Sequence, residues 1–269
     1  MKNRWPVALT IAGSDPSGGA GLQADLKTFH QFGIYGQAVV TLATVQNTRR
    51  VSDVRPLDAE FVARQLEAVS EDIPPDAAKT GALGTVDIVE AAAAWAAETE
   101  TPLVVDPVMV SKHGAELIPR DAQTALAERL LPLARIVTPN VPEAERLTGL
   151  PIKNEEDMLA AAERIREMGA RAVLLKGGHL DGPEAIDLLL DGGRTSEFRA
   201  QRVGTQHTHG TGCVTAAAIT SGLALGRSLE RSVRDAKQFV LSAIESAPGL
   251  GSGSGPLNLF TAGPSEPGT

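Results

Sequence analysis

Short apolar runs alternate with longer amphipathic stretches along most of the chain. Residues 7–12 form a nearly unbroken apolar run, which predicts a buried strand; a glycine-rich loop at 13–21 separates it from a helix over 22–32. Residues 37–45 are apolar enough for a second central strand, and the alternation at 50–56 predicts a more exposed one. Asp58 stands where a helix through Ser70 needs its N-cap, with Glu60 in the first turn. A short strand at 77–80 and an alanine-rich helix at 85–99 follow. The pattern then repeats, with strands at 103–106, 135–138 and 172–176 and helices at 120–130, 142–148 and 155–168. Residues 185–190 and 196–200 predict an antiparallel pair turned at Asp191, Gly192 and Gly193. Two helices, over 212–224 and 229–246, close the chain.

Strands and helices in this alternation predict an α/β fold, a mainly parallel sheet with helices on both faces. No long polar linker and no internal repeat interrupts it, so residues 1–260 read as one domain. The small and polar residues of 261–269 are expected to be a disordered tail. Polar residues fall just past the predicted strands: Gly13-Ser14-Asp15, Lys79-Thr80-Gly81, Asp106-Pro107, Thr138-Pro139-Asn140 and Lys176-Gly177-Gly178. Open α/β sheets bind ligands outside the carboxyl ends of their strands. These segments therefore share one rim.

Composition narrows the function. The net charge of −8 argues against nucleic acid as main partner, because phosphate backbones are held by clustered Lys and Arg. No apolar run approaches the roughly 20 residues of a membrane span. A single cysteine excludes an internal disulfide, and with no signal-like N-terminus the sequence predicts a cytoplasmic protein.

The strongest chemical signal is Thr208-His209-Gly210-Thr211-Gly212-Cys213 followed by a run of small residues. Two glycines one residue apart, opening a helix, make a nest of backbone N–H groups where the helix dipole also favours an anion. Cys213 on this nest, four residues after His209, is expected to have a lowered thiol pKa. The other reading of Cys213 is a small buried apolar residue. Lys176, ending an apolar strand before two glycines, is poorly explained by packing and well explained by a phosphate. Lys237 is ambiguous, because a lysine in a terminal helix often just snorkels. Asp106 and Glu143 are candidates for holding Mg²⁺, while Asn140 serves equally well as a helix N-cap. Gln46 offers a donor and an acceptor together, as an aminopyrimidine edge requires. His207 and His209 lack further ligands at metal spacing. The stretch Gly19-Ala20-Gly21-Leu22-Gln23-Ala24 matches a dinucleotide fingerprint literally, but no acid follows at the distance a ribose needs.

Taken in order, residues 12–25, Gln46-Asn47-Thr48, Asp106-Pro107-Val108-Met109, Thr138-Pro139-Asn140, Lys176-Gly177-Gly178-His179, His209-Gly210-Thr211-Gly212-Cys213 and Gly255-Pro256-Leu257-Asn258 match one known pattern. The chain closely resembles the bifunctional hydroxymethylpyrimidine/phosphomethylpyrimidine kinases of thiamine biosynthesis, within the ribokinase-like superfamily. The resemblance implies a three-layer sandwich, commonly a homodimer, and two successive phosphoryl transfers from ATP, first to 4-amino-5-hydroxymethyl-2-methylpyrimidine and then to its monophosphate. It also implies that Gly13, Asp25, Gln46 and Val108 line the pyrimidine pocket. Gly210, Thr211, Gly212 and Cys213 would form the anion hole, with Cys213 where related sugar kinases place a catalytic Asp. Lys176, with Asn140 and Lys237, would meet ATP, and Asp106 and Glu143 would support Mg²⁺. One position departs: Ala82 stands where the family usually has a Met packed on the ring, which makes pyridoxine a serious alternative substrate. A pyrimidine-binding protein without catalysis is the rival from another class.

Overall fold

The fold is that of a computed structural model and is described for residues 5–111 and 114–260; the tail at 261–269 lies outside the described residues. The strands are β1 (Val7–Ser14), β2 (Tyr35–Asn47), β3 (Arg50–Pro56), β4 (Ala77–Thr80), β5 (Leu103–Val105), β6 (Ile136–Val137), β7 (Ala172–Lys176), β8 (Glu184–Asp191) and β9 (Arg194–Gln201). They form one sheet in the order β3-β2-β1-β4-β5-β6-β7-β8-β9. Pairing is parallel from β2 through β7, and β3, β8 and β9 join antiparallel.

The helices are α1 (Gly21–Gln31), α2 (Ala59–Asp72), α3 (Val86–Ala97), α4 (Arg120–Ala125), α5 (Val141–Thr148), α6 (Glu155–Glu167), α7 (Thr211–Ala224) and α8 (Leu229–Glu245). Strand side chains alternate between the two faces. Leu9, Ile11, Leu103, Val105, Val173 and Leu175 pack with α2 to α6. Ala8, Val104, Ala172 and Leu174 pack with α1, α7 and α8. Both faces are thus covered, which is why the central strands read as unbroken apolar runs.

Helix starts follow local chemistry. Asp58, Thr85, Asn140, Asn154 and Ser228 each accept a first-turn backbone N–H, so the predicted N-cap of α2 is in place. The helix expected over 120–130 is α-helical only through Ala125; it continues as a wider turn over Leu126–Leu130 and a 3₁₀ turn over Leu131–Leu133. Pro132, which has no N–H to donate, stops an α-helical register there.

The topology fixes where a ligand sits. From β1 the chain crosses through α1 to β2 on one side, and later returns through α2 to β4 on the other. This reversal leaves a crevice at the carboxyl ends of β1 and β4.

Candidate active site

A cavity of about 810 Å³ opens at that crevice, within the size range of small-molecule sites. Four of the five predicted strand ends supply Ser14, Gly81, Asp106 and Asn140 to its wall, and β7 supplies Lys176. The predicted Gly13, Gln46, Val108, Glu143, Gly210, Thr211, Gly212, Cys213 and Lys237 line it as well.

One end is built for anions. Gly210 is the N-cap of α7 with φ of 84°, and a Cβ there would collide with the carbonyl oxygen of Gly19. Only glycine lets α7 begin against the glycine-rich loop. Gly212 comes so close to the sheet that a Cβ on it would stand 3.4 Å from Lys176 Nζ and 3.6 Å from Asp106 Oδ2. A helix N-terminus, a lysine and an aspartate therefore meet at one point. Lys176 Nζ donates to Asp106 Oδ1 at 3.2 Å, and Thr138 Oγ1 donates to the same oxygen at 3.2 Å. Burial works against the Lys176 charge, but Asp106 and then Glu143 outweigh it and hold its pKa above the ordinary lysine value.

Glu143 and Asn140 close a capping box on α5, each accepting the other's backbone N–H at 2.9 Å. Asn140 is thus the N-cap and a wall residue at once. Burial pushes the Glu143 carboxyl up to about 7, with Lys176 pulling it down and Asp106 adding to the rise. Among the described residues no three His, Cys, Asp or Glu side chains could hold a metal together. Two carboxylates facing a phosphate site still fit Mg²⁺, which commonly takes one or two carboxylates plus phosphate oxygens.

The lowered pKa expected of Cys213 is overturned. Part of the residue faces the cavity, yet the depth of the thiol pushes its pKa up to about 12, with the Asp25 and Asp106 carboxylates adding to the rise. Lys79 and a hydrogen bond from the Gly21 N–H oppose this without prevailing. Desolvation and nearby carboxylates win over the helix terminus. His209 does not serve the thiol as a base: its Nε2 is 2.8 Å from Asp15 Oδ2 and 3.2 Å from the Gln46 side-chain amide.

Asp25 also needs correction. It stands beneath the cavity and not on its wall, wholly buried, accepting Lys79 Nζ at 2.8 Å and Thr10 Oγ1 at 2.7 Å. Burial raises its pKa and Lys79 opposes the rise. Lys79 is itself completely buried, so the pair forms a dry layer under the floor.

Other parts of the lining are suited to a ring. Gly13 shows its backbone to the cavity, because any side chain there would strike Leu42. Val108, Met109, Leu42 and Leu117 add apolar wall, and Ala82 lies among them. Gln46 sits between Thr44 and His209 at 3.2 Å from each. Asp15 accepts the Ser17 and Ala20 N–H groups and the Ser17 hydroxyl, each at 2.9 Å. Burial works to raise its pKa, but the hydrogen bonds from His209 and Ser17 outweigh it and leave the carboxyl below its usual value.

Lys237 is neither solvated nor pointed freely at the cavity; it donates to Asp187 Oδ2 at 2.7 Å and the Ala185 carbonyl at 3.1 Å. Sequence reading missed three features: the Lys79 pairing, the Asp15–His209 contact, and Arg202, whose guanidinium donates to the carbonyls of Gly178, Leu180 and Gly182. Lys79 inside the short apolar strand was a usable signal. The other two pair residues far apart in the chain and leave none.

Known proteins similar to the chain include both phosphomethylpyrimidine and pyridoxal kinases. A family model described as phosphomethylpyrimidine kinase matches residues 15–258. The hydroxymethylpyrimidine/phosphomethylpyrimidine kinase of Bacillus subtilis is 46% identical, over 94% of each chain. The thiamine biosynthesis bifunctional protein ThiED of Geobacter sulfurreducens is 51% identical over 94% of this chain, which spans only about half (52%) of that protein. Among solved structures, the pyridoxal kinase of Staphylococcus aureus in complex with AMP-PCP and pyridoxal superposes with a TM-score of 0.89 at 39% identity, covering 96% of this chain and 94% of that one.

Proposed function

Because the chain belongs to the phosphomethylpyrimidine kinase family, we propose that it transfers the γ-phosphoryl group of ATP to 4-amino-5-hydroxymethyl-2-methylpyrimidine and then to the resulting monophosphate, for thiamine biosynthesis. The observation that carries this reading is the meeting of the α7 N-terminus with Lys176 and Asp106 in the wall of a cavity that Gly13, Gln46 and Val108 also line.

The ring lies at the Gln46 end, with its hydroxymethyl group directed toward Gly212. The oxygen attacks the γ-phosphorus in line, its proton passes to an oxygen of the transferring phosphoryl group, and the bond to the ADP oxygen breaks. Such transition states are loose, so the protein's main task is to hold charge in place. The N–H groups of Gly212 and Cys213 and the Lys176 ammonium do this. Asn140 and Lys237 stand toward the nucleotide. Asp106 and Glu143 would hold Mg²⁺, which would supply neutralisation of phosphate charge. The Cys213 thiol is neutral near pH 7 and acts through position, not as a resident thiolate. In the second transfer the nucleophile is already anionic and needs no base.

The pyridoxal kinase reading stays in view for a specific reason: Ala82 leaves the ring end wider than a Met would, and a protein of that activity shares the fold. ADP release with Mg-ATP, compared across hydroxymethylpyrimidine, its monophosphate and pyridoxine, separates them. Turnover of both pyrimidines above pyridoxine supports the two-step reading; preference for pyridoxine sinks it, and tight binding without ADP release favours a binding protein. No helix among the described residues is long and apolar enough to cross a membrane, in keeping with a cytoplasmic enzyme. The single domain and the homodimer belong to this reading too. Exposed Val45, paired with Asp53 of the edge strand β3, is apolar surface that a second copy would cover; light scattering after size exclusion gives the mass.

A further inference from the structure

We propose that His209, held by Asp15, fixes the Gln46 amide with its oxygen toward His209 and its nitrogen toward Thr44, and is thereby a positioning residue for ring recognition. This rests on the pyrimidine reading above for its functional meaning, but the orientation follows from counting hydrogens.

Asp15 accepts three hydrogen bonds from Ser17 and Ala20, so its carboxylate is ionised and can only accept. His209 Nε2 lies 2.8 Å from Asp15 Oδ2. Two acceptors would repel at that distance, so Nε2 carries the hydrogen. The atom of Gln46 that lies 3.2 Å from Nε2 must then be an acceptor, and of the two amide atoms only Oε1 qualifies. Thr44 gives the same answer independently. Its hydroxyl lies 3.1 Å from the Ser14 carbonyl and 3.2 Å from the other Gln46 amide atom. A hydroxyl has one hydrogen, and the Ser14 carbonyl can only accept it. The Gln46 atom facing Thr44 must therefore donate, which makes it Nε2.

The consequence reaches the cavity, since Gln46, Thr44 and His209 all line it. The amide offers an acceptor on the His209 side and a donor on the Thr44 side. A ring edge carrying an amino group beside a ring nitrogen matches this in one orientation only, the amino group toward His209. A hydroxypyridine edge lacks that ordered pair. Asp15 and His209 thus set which edge the pocket reads without either needing to touch the ring.

Two measurements test this. In the ¹⁵N-labelled full chain, the Gln46 side-chain NH₂ should give its strongest NOEs to Thr44; strongest NOEs to the His209 ring overturn the assignment. In kinetics, His209→Leu should raise KM for hydroxymethylpyrimidine at least tenfold while kcat and the KM for ATP stay within about threefold. His209→Gln, which restores an N–H donor, should recover most of the loss. Equal losses in kcat, in both KM values and in His209→Gln would mean a merely structural role and overturn the proposal. If His209→Leu does not fold, the NOEs decide. If the wild type ignores pyrimidines, the functional reading fails while the NOEs still judge the orientation.

Discussion

Two lysine–aspartate pairs lie close enough for the charges of one to act on the other, and they differ in what surrounds them. Lys79 and Asp25 meet at 2.8 Å with neither side chain exposed. Lys176 and Asp106 meet at 3.2 Å, with 12% of the lysine side chain still reaching the cavity. The first pair is closed on all sides, so its charges are spent on each other and on Thr10. The second is shared with Thr138 and faces a helix N-terminus, which leaves the ammonium able to meet an incoming anion. The same two side-chain types make a buried floor in one place and part of an open cavity wall in the other. Access to solvent decides which.

Substitutions can break that contrast. The largest effect is expected from Lys79→Met, which leaves Asp25 buried without its cation and should cost about 3–5 kcal/mol of stability in chemical denaturation. Replacing both members with apolar residues should recover most of it. A stable but inactive Lys79→Met protein would show that the floor pair is itself part of the chemistry. Lys176→Gln should act the other way round, lowering kcat by about 10²–10³-fold, as losing one transition-state donor does, with a smaller shift in denaturation midpoint than Lys79→Met.

Glu143 sharpens the comparison through pH. Its folded pKa, about 7, lies above the ordinary 4.5, so the folded state holds that proton more tightly than the unfolded chain. Stability contributed by the neutral carboxyl is therefore full below pH 4.5 and lost as pH rises toward 7. The difference is on the order of 3 kcal/mol. Glu143→Gln keeps the capping acceptor and should flatten this slope between pH 4.5 and 7; an unchanged slope would place the titration elsewhere. Cys213→Ala should lower both phosphoryl transfers equally and by less than about tenfold, since a neutral thiol is no base. A selective loss in the first transfer would restore a base role. The smallest effect is expected from Ala82→Met, where added ring contact should lower KM for the pyrimidine by a few-fold, less than about 1 kcal/mol.

Most of the fold was legible because the signals were local. The apolar runs at 7–12 and 172–176, the caps Asp58 and Asn140, and the turn at 191–193 each act over a few residues. The list of wall residues was legible for a related reason, since a strand end in this architecture has one place to be. What failed was depth. The position of Asp25 one turn into α1 does not reveal that a lysine from β4 lies behind it. Nor does the Gly212-Cys213 nest reveal that carboxylates crowd the thiol. Charge balance among residues remote in sequence depends on packing, and no local pattern encodes it.

The contact of Gly210 with the carbonyl of Gly19 has a consequence for how the molecule is made. The two loops that meet there lie far apart in the chain, and β1 is an interior strand of the sheet. On a ribosome the first loop emerges well before α7 and waits, unsupported, until α7 has left the exit tunnel. Contacts of such long sequence separation form slowly. A nascent chain of this protein therefore stays without this cavity wall until α7 has been made and has folded against the first loop.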